Sequence, residues 1–108
     1  MKKELWLLGG VPGSGKSTWA QAHCPENGII ISRDAIRFSM LQDNEDYFAY
    51  EKEVFNTFVS KIKSALADNT ITGPVVADAT HMTKKSRAKL LKLIEKDNVS
   101  KIIVFWFN

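Results

Sequence analysis

The sequence predicts an α/β fold in three layers, a parallel sheet of about four strands with helices on both faces. Three observations carry this. Short apolar runs at Leu5 to Gly9, Gly28 to Ser32, Val75 to Asp78 and Lys101 to Phe107 read as strands buried on both faces. The segments between them show apolar residues at three- and four-residue spacing, which is the period of a helix with one buried face. Strand–helix alternation in turn favours parallel pairing through right-handed crossovers. No linker, repeat or low-complexity tract divides the 108 residues, so one domain with one core is expected.

Each element has a local reason. Leu5-Trp6-Leu7-Leu8-Gly9 is apolar and ends in glycine. It follows Lys2-Lys3 as a signal peptide's apolar segment would, but it is about seven residues long and carries Glu4 beside it. A helix from Gly15 or Lys16 to His23 is stopped by Pro25. Gly28-Ile29-Ile30-Ile31-Ser32 is β-branched and continuous. Arg33 to about Gln42 reads as a short helix. Asp46 to Asp68 reads as a long one, with Tyr47, Tyr50, Val54, Phe58, Ile62 and Ala65 on one stripe, widened by Phe55, Val59 and Leu66. At that spacing the aromatics are expected in the core rather than on a base-stacking platform. Gly73-Pro74 punctuates the chain before Val75-Val76-Ala77-Asp78. Thr83 to Asp97 is amphipathic, with Thr83 as N-cap, Ala88, Leu91 and Ile94 inward beside Leu90, and Lys84, Lys85, Arg87, Lys89 and Lys92 on a solvated face.

Composition bounds the function loosely. Hydrophobic residues make up 44% and charged residues 25%, near the globular average, and the net charge of +3 is mild. No run of like charges suggests a nucleic-acid tail. No stretch approaches the roughly 18 apolar residues of a membrane span, so no membrane partner is expected. Cys24 is the only cysteine, which excludes an intrachain disulfide and fits a reducing, cytoplasmic setting. It reads as a small, partly buried residue at a helix end. His23 and His81 stand apart from any second ligand at metal spacing, so neither is assigned to zinc.

Chemistry concentrates at the carboxyl ends of the strands, where ligands bind in parallel α/β sheets. Gly10-Val11-Pro12-Gly13-Ser14-Gly15-Lys16-Ser17 fits the phosphate-loop pattern and lies between a strand and a helix. A chance match somewhere in this chain is on the order of half a percent. Glycines let the main chain approach oxygen atoms, and successive N–H groups form an anion nest at the positive end of the helix. Gly13, Ser14, Gly15, Lys16, Ser17 and Thr18 are therefore the candidate nucleotide-binding residues. Lys16 supplies charge to the β- and γ-phosphates of ATP, and the Ser17 hydroxyl ligates Mg²⁺. Asp34 follows the second strand and is a candidate general base for a substrate hydroxyl. Arg37, three residues on, shares its helical face and suits a bidentate grip on a substrate phosphate. The alternative is that Asp34 caps the helix and Arg37 makes a surface ion pair. Asp78 ends the third strand, where a carboxylate supporting Mg²⁺ is expected.

Three blocks extend this reading: Gly10 to Ala20, then Ser32-Arg33-Asp34-x-x-Arg37, then Asp78-Ala79-Thr80-x-x-x-Lys84-x-Ser86-Arg87. In this order they resemble the 5′-kinase domain of bacteriophage polynucleotide kinase and its P-loop kinase relatives, over nearly the whole chain. The resemblance implies a P-loop kinase core that uses ATP and Mg²⁺. Asp34 would activate a 5′-hydroxyl, Arg37 would bind the acceptor's phosphate, and Lys16, Ser17, Thr18 and Asp78 would serve ATP and its metal. The family often has Asn where Thr80 stands, and Arg33 carries no role. Family members continue into a lid whose arginine is worth about 10³–10⁵ in rate. Residues 1–108 are accordingly expected to be a core lacking that lid, as a fragment; a partner's arginine or weak catalysis are the alternatives. The expected function is phosphoryl transfer from ATP to a hydroxyl, with a polynucleotide or nucleoside 5′-hydroxyl favoured. A small-molecule kinase of the same fold and a nucleotide-binding module without independent catalysis remain open.

Overall fold

The computed structural model describes residues 2–10, 14–46, 48–79, 82–94 and 99–107. Its elements run β1 (Lys3–Gly10), α1 (Lys16–His23), β2 (Ile29–Ser32), α2 (Arg33–Met40), α3 (Glu51–Ala67), β3 (Val75–Asp78), α4 (Lys84–Ile94) and β4 (Val99–Phe107). The four strands form one sheet in the order β2-β3-β1-β4, and every pairing is parallel. This is the α/β architecture that the alternation predicts.

The pleat divides the core. On one face Leu5, Leu7, Ile31, Val75 and Ala77 pack with Ile36 of α2, with Val54, Phe58, Ile62 and Leu66 of α3, and with Leu90 and Ile94 of α4. On the other, Leu8 and Val76 meet Ala20 of α1, with Trp6, Trp19, Phe105 and Phe107 at the margin. So α1 covers one face and the other three helices cover the opposite one. Burying the Phe58 side chain completely makes it a main anchor, and truncating such a residue to alanine costs about 3–5 kcal/mol.

Several boundaries differ from the sequence reading. The long helix begins at Glu51, not Asp46. The Asp46 side chain accepts the Phe48 N–H at 2.8 Å, and the Asp46 carbonyl accepts the Ala49 N–H at 3.0 Å, so a turn competes with the first helical turn. Tyr50, half-buried, becomes the N-cap position. Tyr47 lies outside the described residues, as does the expected end of the last helix at Asp97. Thr83 caps α4, its Oγ1 accepting the Ser86 N–H at 3.1 Å. Leu90 and Ile94 fill the inward positions with Leu91 beside them, whereas Ala88 is exposed, about 200° around the helix from Leu90.

Lys3 has a role its charge did not suggest. Its ammonium is buried and donates to the carbonyls of Leu66 and Asp68, each at 2.8 Å, capping the end of α3. At the far edge, β4 shows alternate behaviour on its two faces. Phe105 and Phe107 pack near Trp19, with ring centroids 4.7 and 5.5 Å away, while Ile102, Val104 and Trp106 are exposed.

Candidate active site

Strand register lines up the chemistry. Ser32, Asp78 and Leu8 are Cα partners across β2, β3 and β1. Two residues beyond Leu8 the chain turns at Gly10, and two beyond Ser32 stands Asp34. The carboxyl edge therefore collects both candidate groups, as the sequence reading expects.

The first group sits at the start of α1. Gly15 adopts a left-handed backbone (φ 84°, ψ 10°), which glycine enters without a Cβ penalty, and the helix starts at Lys16 with no side-chain cap. A helix start of this kind can offer its first-turn N–H groups to an anion. The Lys16 ammonium is buried and forms an ion pair with Asp78 Oδ1. The Ser17 hydroxyl donates to Asp78 Oδ2 at 2.8 Å. Ser14 Oγ is buried without a hydrogen-bond partner among the described residues, and Thr18 is exposed on the first turn of α1. Gly13, with Val11 and Pro12, lies outside the described residues, as do Thr80 and His81.

The second group sits at the start of α2. Ser32, not Asp34, caps this helix, accepting the Ala35 N–H at 3.1 Å. That leaves the Asp34 carboxylate to Arg37, whose Nη1 donates to it at 2.8 Å. Arg37 is 1% exposed, so the surface ion pair weighed above is not what forms. A third residue completes the cluster. Glu51, at the first turn of α3, pairs with Arg37 through one oxygen and with Arg33 Nη2 at 2.6 Å through the other. Both guanidiniums are buried, and one carboxylate spans them.

Arg33 and Glu51 are the site residues that sequence reasoning missed. Arg33 precedes Asp34 directly, but spacing assigns it no partner. Glu51 is 14 and 18 residues from its arginines, and only the packing of α2 against α3 brings them together. A carboxylate in the first turn of a helix was the available signal, and it has an ordinary dipole explanation.

Elsewhere, His23 stacks on Trp19 at 4.4 Å, with Nδ1 2.9 Å from the Trp19 carbonyl. Cys24 is half-buried at the end of α1, and burial pushes its thiol up from the usual range. A cavity of about 530 Å³ runs along the outer side of β2 between α2 and α3. It is lined mainly by Ile29 to Ser32 and by the serines of α2 and α3, away from the phosphate-loop residues. No helix among the described residues is long and apolar enough to cross a membrane.

Comparisons with known proteins give the family and the fold. The chain belongs to the AAA domain family, whose model matches residues 5–107. No curated protein matches it. Among solved structures, a chain of the "Pnkp1/Rnl/Hen1 complex" superposes with a TM-score of 0.79 at 25% identity, covering 99% of this chain and 36% of that one. A chain of the "Pnkp1/Rnl/Hen1 RNA repair complex" gives 0.77 at 25% identity, covering 98% and 33%. This chain thus spans about a third of the length of either. A P-loop kinase resembling the kinase domain of polynucleotide kinase is what the sequence blocks, the family and the fold together support.

Proposed function

We propose that this member of the AAA domain family transfers the γ-phosphate of ATP to a hydroxyl, with a polynucleotide or nucleoside 5′-hydroxyl as the favoured acceptor. The observation that carries the reading is the shared carboxyl edge. Lys16, Ser17 and Asp78 gather at the start of α1, while Asp34 and Arg37 gather at the end of the second strand over from β1. The likeness to a chain from an RNA repair complex supports a nucleic-acid acceptor.

The residues present fit nucleotide and metal. The first turn of α1, which has no side-chain cap, and the Ser14 hydroxyl, which has no partner among the described residues, suit phosphate oxygens. A hydroxyl and a carboxylate 2.8 Å apart suit Mg²⁺, which keeps waters and phosphate oxygens in the rest of its shell. The described residues hold no group of three or more His, Cys, Asp or Glu side chains that could hold a metal ion. When bound, Mg²⁺ supplies charge neutralisation to the transferring phosphoryl group.

The chain's own groups divide the remaining work. Lys16 turns from Asp78 to the β- and γ-phosphates, holding the leaving charge. Asp34 accepts the proton of the attacking hydroxyl, and its ion pair with Arg37 orients the carboxylate for that task. Arg37, whose Nη atoms donate to Asp34 and Glu51, takes the acceptor's phosphate in exchange for Glu51, fixing the hydroxyl beside Asp34. Thr18, on the first turn of α1, serves the same phosphates, and Gly13, outside the described residues, is assigned to them by the motif alone.

The test combines ATP binding with transfer from labelled ATP to 5′-hydroxyl oligonucleotides in the presence of Mg²⁺. Lys16→Ala is expected to abolish both. Asp34→Asn is expected to leave ATP binding intact and to lower transfer by about 10²–10⁴-fold. Transfer to a small metabolite but to no 5′-hydroxyl nucleic acid overturns the acceptor assignment. ATP binding with no measurable change in Asp34→Asn makes the chain a nucleotide-binding module instead.

A further inference from the structure

Among the described residues β2 is an outermost strand of the sheet, and the cavity of about 530 Å³ lies along its open side. The Ile29 N–H donates to the Pro74 carbonyl at 3.0 Å, and Ile29 and Ile31 are the Cα partners of Val75 and Ala77. Main-chain groups alternate sides along a strand, so Ile29 and Ile31 turn theirs to β3. Ile30 turns its N–H and C=O to the open side, and Ser32 turns its N–H there. Side chains alternate between the faces as well: Ile31 joins the core with α3, Ile30 the one with α1. Natural sheet edges are guarded by charges, proline, bulges or brevity. Ile29-Ile30-Ile31-Ser32 has brevity alone, which limits any added strand to a few residues.

The flank of α3 shapes the space beside this edge. Thr57, Ser60, Lys61, Ser64 and Asp68 fall on one side of the helix and line the cavity. Three of them are small hydroxyl residues, at positions where lysine or glutamate would be the better helix former and would fill the space. The floor is apolar, with Ile29, Ile31 and Ile71. Lys61 and Asp68 stand about 10 Å apart along the helix axis, so the groove offers one charge of each sign. A phosphate or a nucleic-acid strand finds no cationic surplus there. Because α3 returns the chain to the start of β3, which is parallel to β2, it runs against β2. Asp68 therefore lies at the Ile29 end and Lys61 nearer Ser32.

We propose that this groove binds an extended peptide segment of a partner protein, added to the sheet as an antiparallel strand beside β2. Ile30 exchanges both main-chain hydrogen bonds with one peptide residue, and the Ser32 N–H donates to the carbonyl two residues before it. The peptide residues on either side of the one facing Ile30 point into the cavity beside Ile29 and Ile31, where an aliphatic side chain meets the apolar floor. With this polarity an acidic residue near the start of the peptide reaches Lys61, and a basic residue near its end reaches Asp68. The proposal goes beyond phosphoryl transfer and does not depend on it.

The test titrates acetyl-Glu-Thr-Val-Thr-Lys-amide against the full chain, with amide shifts and hydrogen exchange followed by NMR. A Kd below about 1 mM is expected, with the Ile30 and Ser32 amides gaining protection. Methylating the backbone nitrogen of the second threonine, which faces Ile30, should weaken binding by about fivefold or more. Methylating the valine nitrogen, which faces away from β2, should change it by less than about twofold. Exchanging the glutamate and the lysine should weaken it by about twofold or more. Ser64→Tyr fills the groove from an exposed helix position and should abolish peptide binding, with melting and ATP binding unchanged. No binding at about 1 mM, equal effects of the two methylations, or wild-type peptide affinity in Ser64→Tyr each overturns the assignment. So does protection confined to residues outside β2. Equal binding of the charge-exchanged peptide overturns the antiparallel polarity. ATP binding is read on the same samples, so the groove and the nucleotide site fail separately.

Discussion

Replacing Glu51 by glutamine separates stability from acceptor binding, because the two should move in opposite directions. The Glu51 carboxylate spans Arg33 and Arg37, whose side chains are 5% and 1% exposed. Removing one partner from a buried ion pair costs about 3–5 kcal/mol, since the other charge stays buried and uncompensated. Two features reduce that here. Glu51 is 38% exposed, so water already screens it, and Arg37 keeps its bond to Asp34. A cost of about 2 kcal/mol follows, which in a domain of this size lowers the melting temperature by about 8–16 °C. If Arg37 holds the acceptor phosphate, Glu51 competes for the same donors, and its neutral amide should tighten nucleoside 3′-phosphate binding by about threefold or more. Melting followed by circular dichroism, with a parallel titration of the nucleotide, reads both quantities. A melting point within about 2 °C of wild type would show that Glu51 does not hold the arginines. Weaker nucleotide binding in a well-folded variant would show that the arginines need Glu51 to position them and that it is not a competitor.

Three other expectations test the scaffold. Gly10 has φ 138°, and a Cβ there would strike the Phe107 backbone, whereas at Gly9 it would meet side chains alone, the exposed Trp106 ring at 3.0 Å and Arg87 Nη1 at 3.7 Å. Gly10→Ala should therefore cost about 3 kcal/mol and Gly9→Ala under about 1 kcal/mol in urea titrations, and equal costs would contradict this account of the turn. Lys3→Met leaves the Leu66 and Asp68 carbonyls without their ammonium and should cost about 1–3 kcal/mol, with protection lost first at the end of α3 in hydrogen exchange. Burial disfavours the Cys24 thiolate, so its folded-state titration lies above that of the unfolded chain and folding loses this contribution as pH rises through that window. The midpoint of its alkylation rate against pH should accordingly be higher in the native protein than in urea.

Local patterns account for most of what was legible in the sequence. β2 and β3 declare themselves through runs of Ile and Val, and Lys16 to His23 is framed by a glycine and a proline. The phosphate-loop motif, Asp34 and Asp78 fall at or just beyond strand ends, which periodicity alone can locate, and Arg37 follows one helical turn after Asp34. Two kinds of information were not local. One was competition at the start of α3, where the Asp46 side chain draws the backbone into a turn that apolar spacing cannot reveal. The other was partnership across elements: Glu51 with Arg33 and Arg37, and Lys3 with the end of α3, both depend on which helices pack together. Arg33 is the clearest case, a residue with no evident task until α3 supplies its carboxylate.

Under the proposed function, the Lys16–Asp78 pair would link two ligands. Nucleotide could claim Lys16 only by drawing it from Asp78, which would leave that carboxylate facing a triphosphate. A divalent cation at Ser17 and Asp78 would cancel this repulsion, so each ligand would lower the cost of admitting the other. Linkage would make the effect reciprocal: the factor by which the cation strengthens nucleotide binding would equal the factor by which nucleotide strengthens the cation's. The loop would then respond to the complex of metal and nucleotide as a single species and discriminate against either one alone.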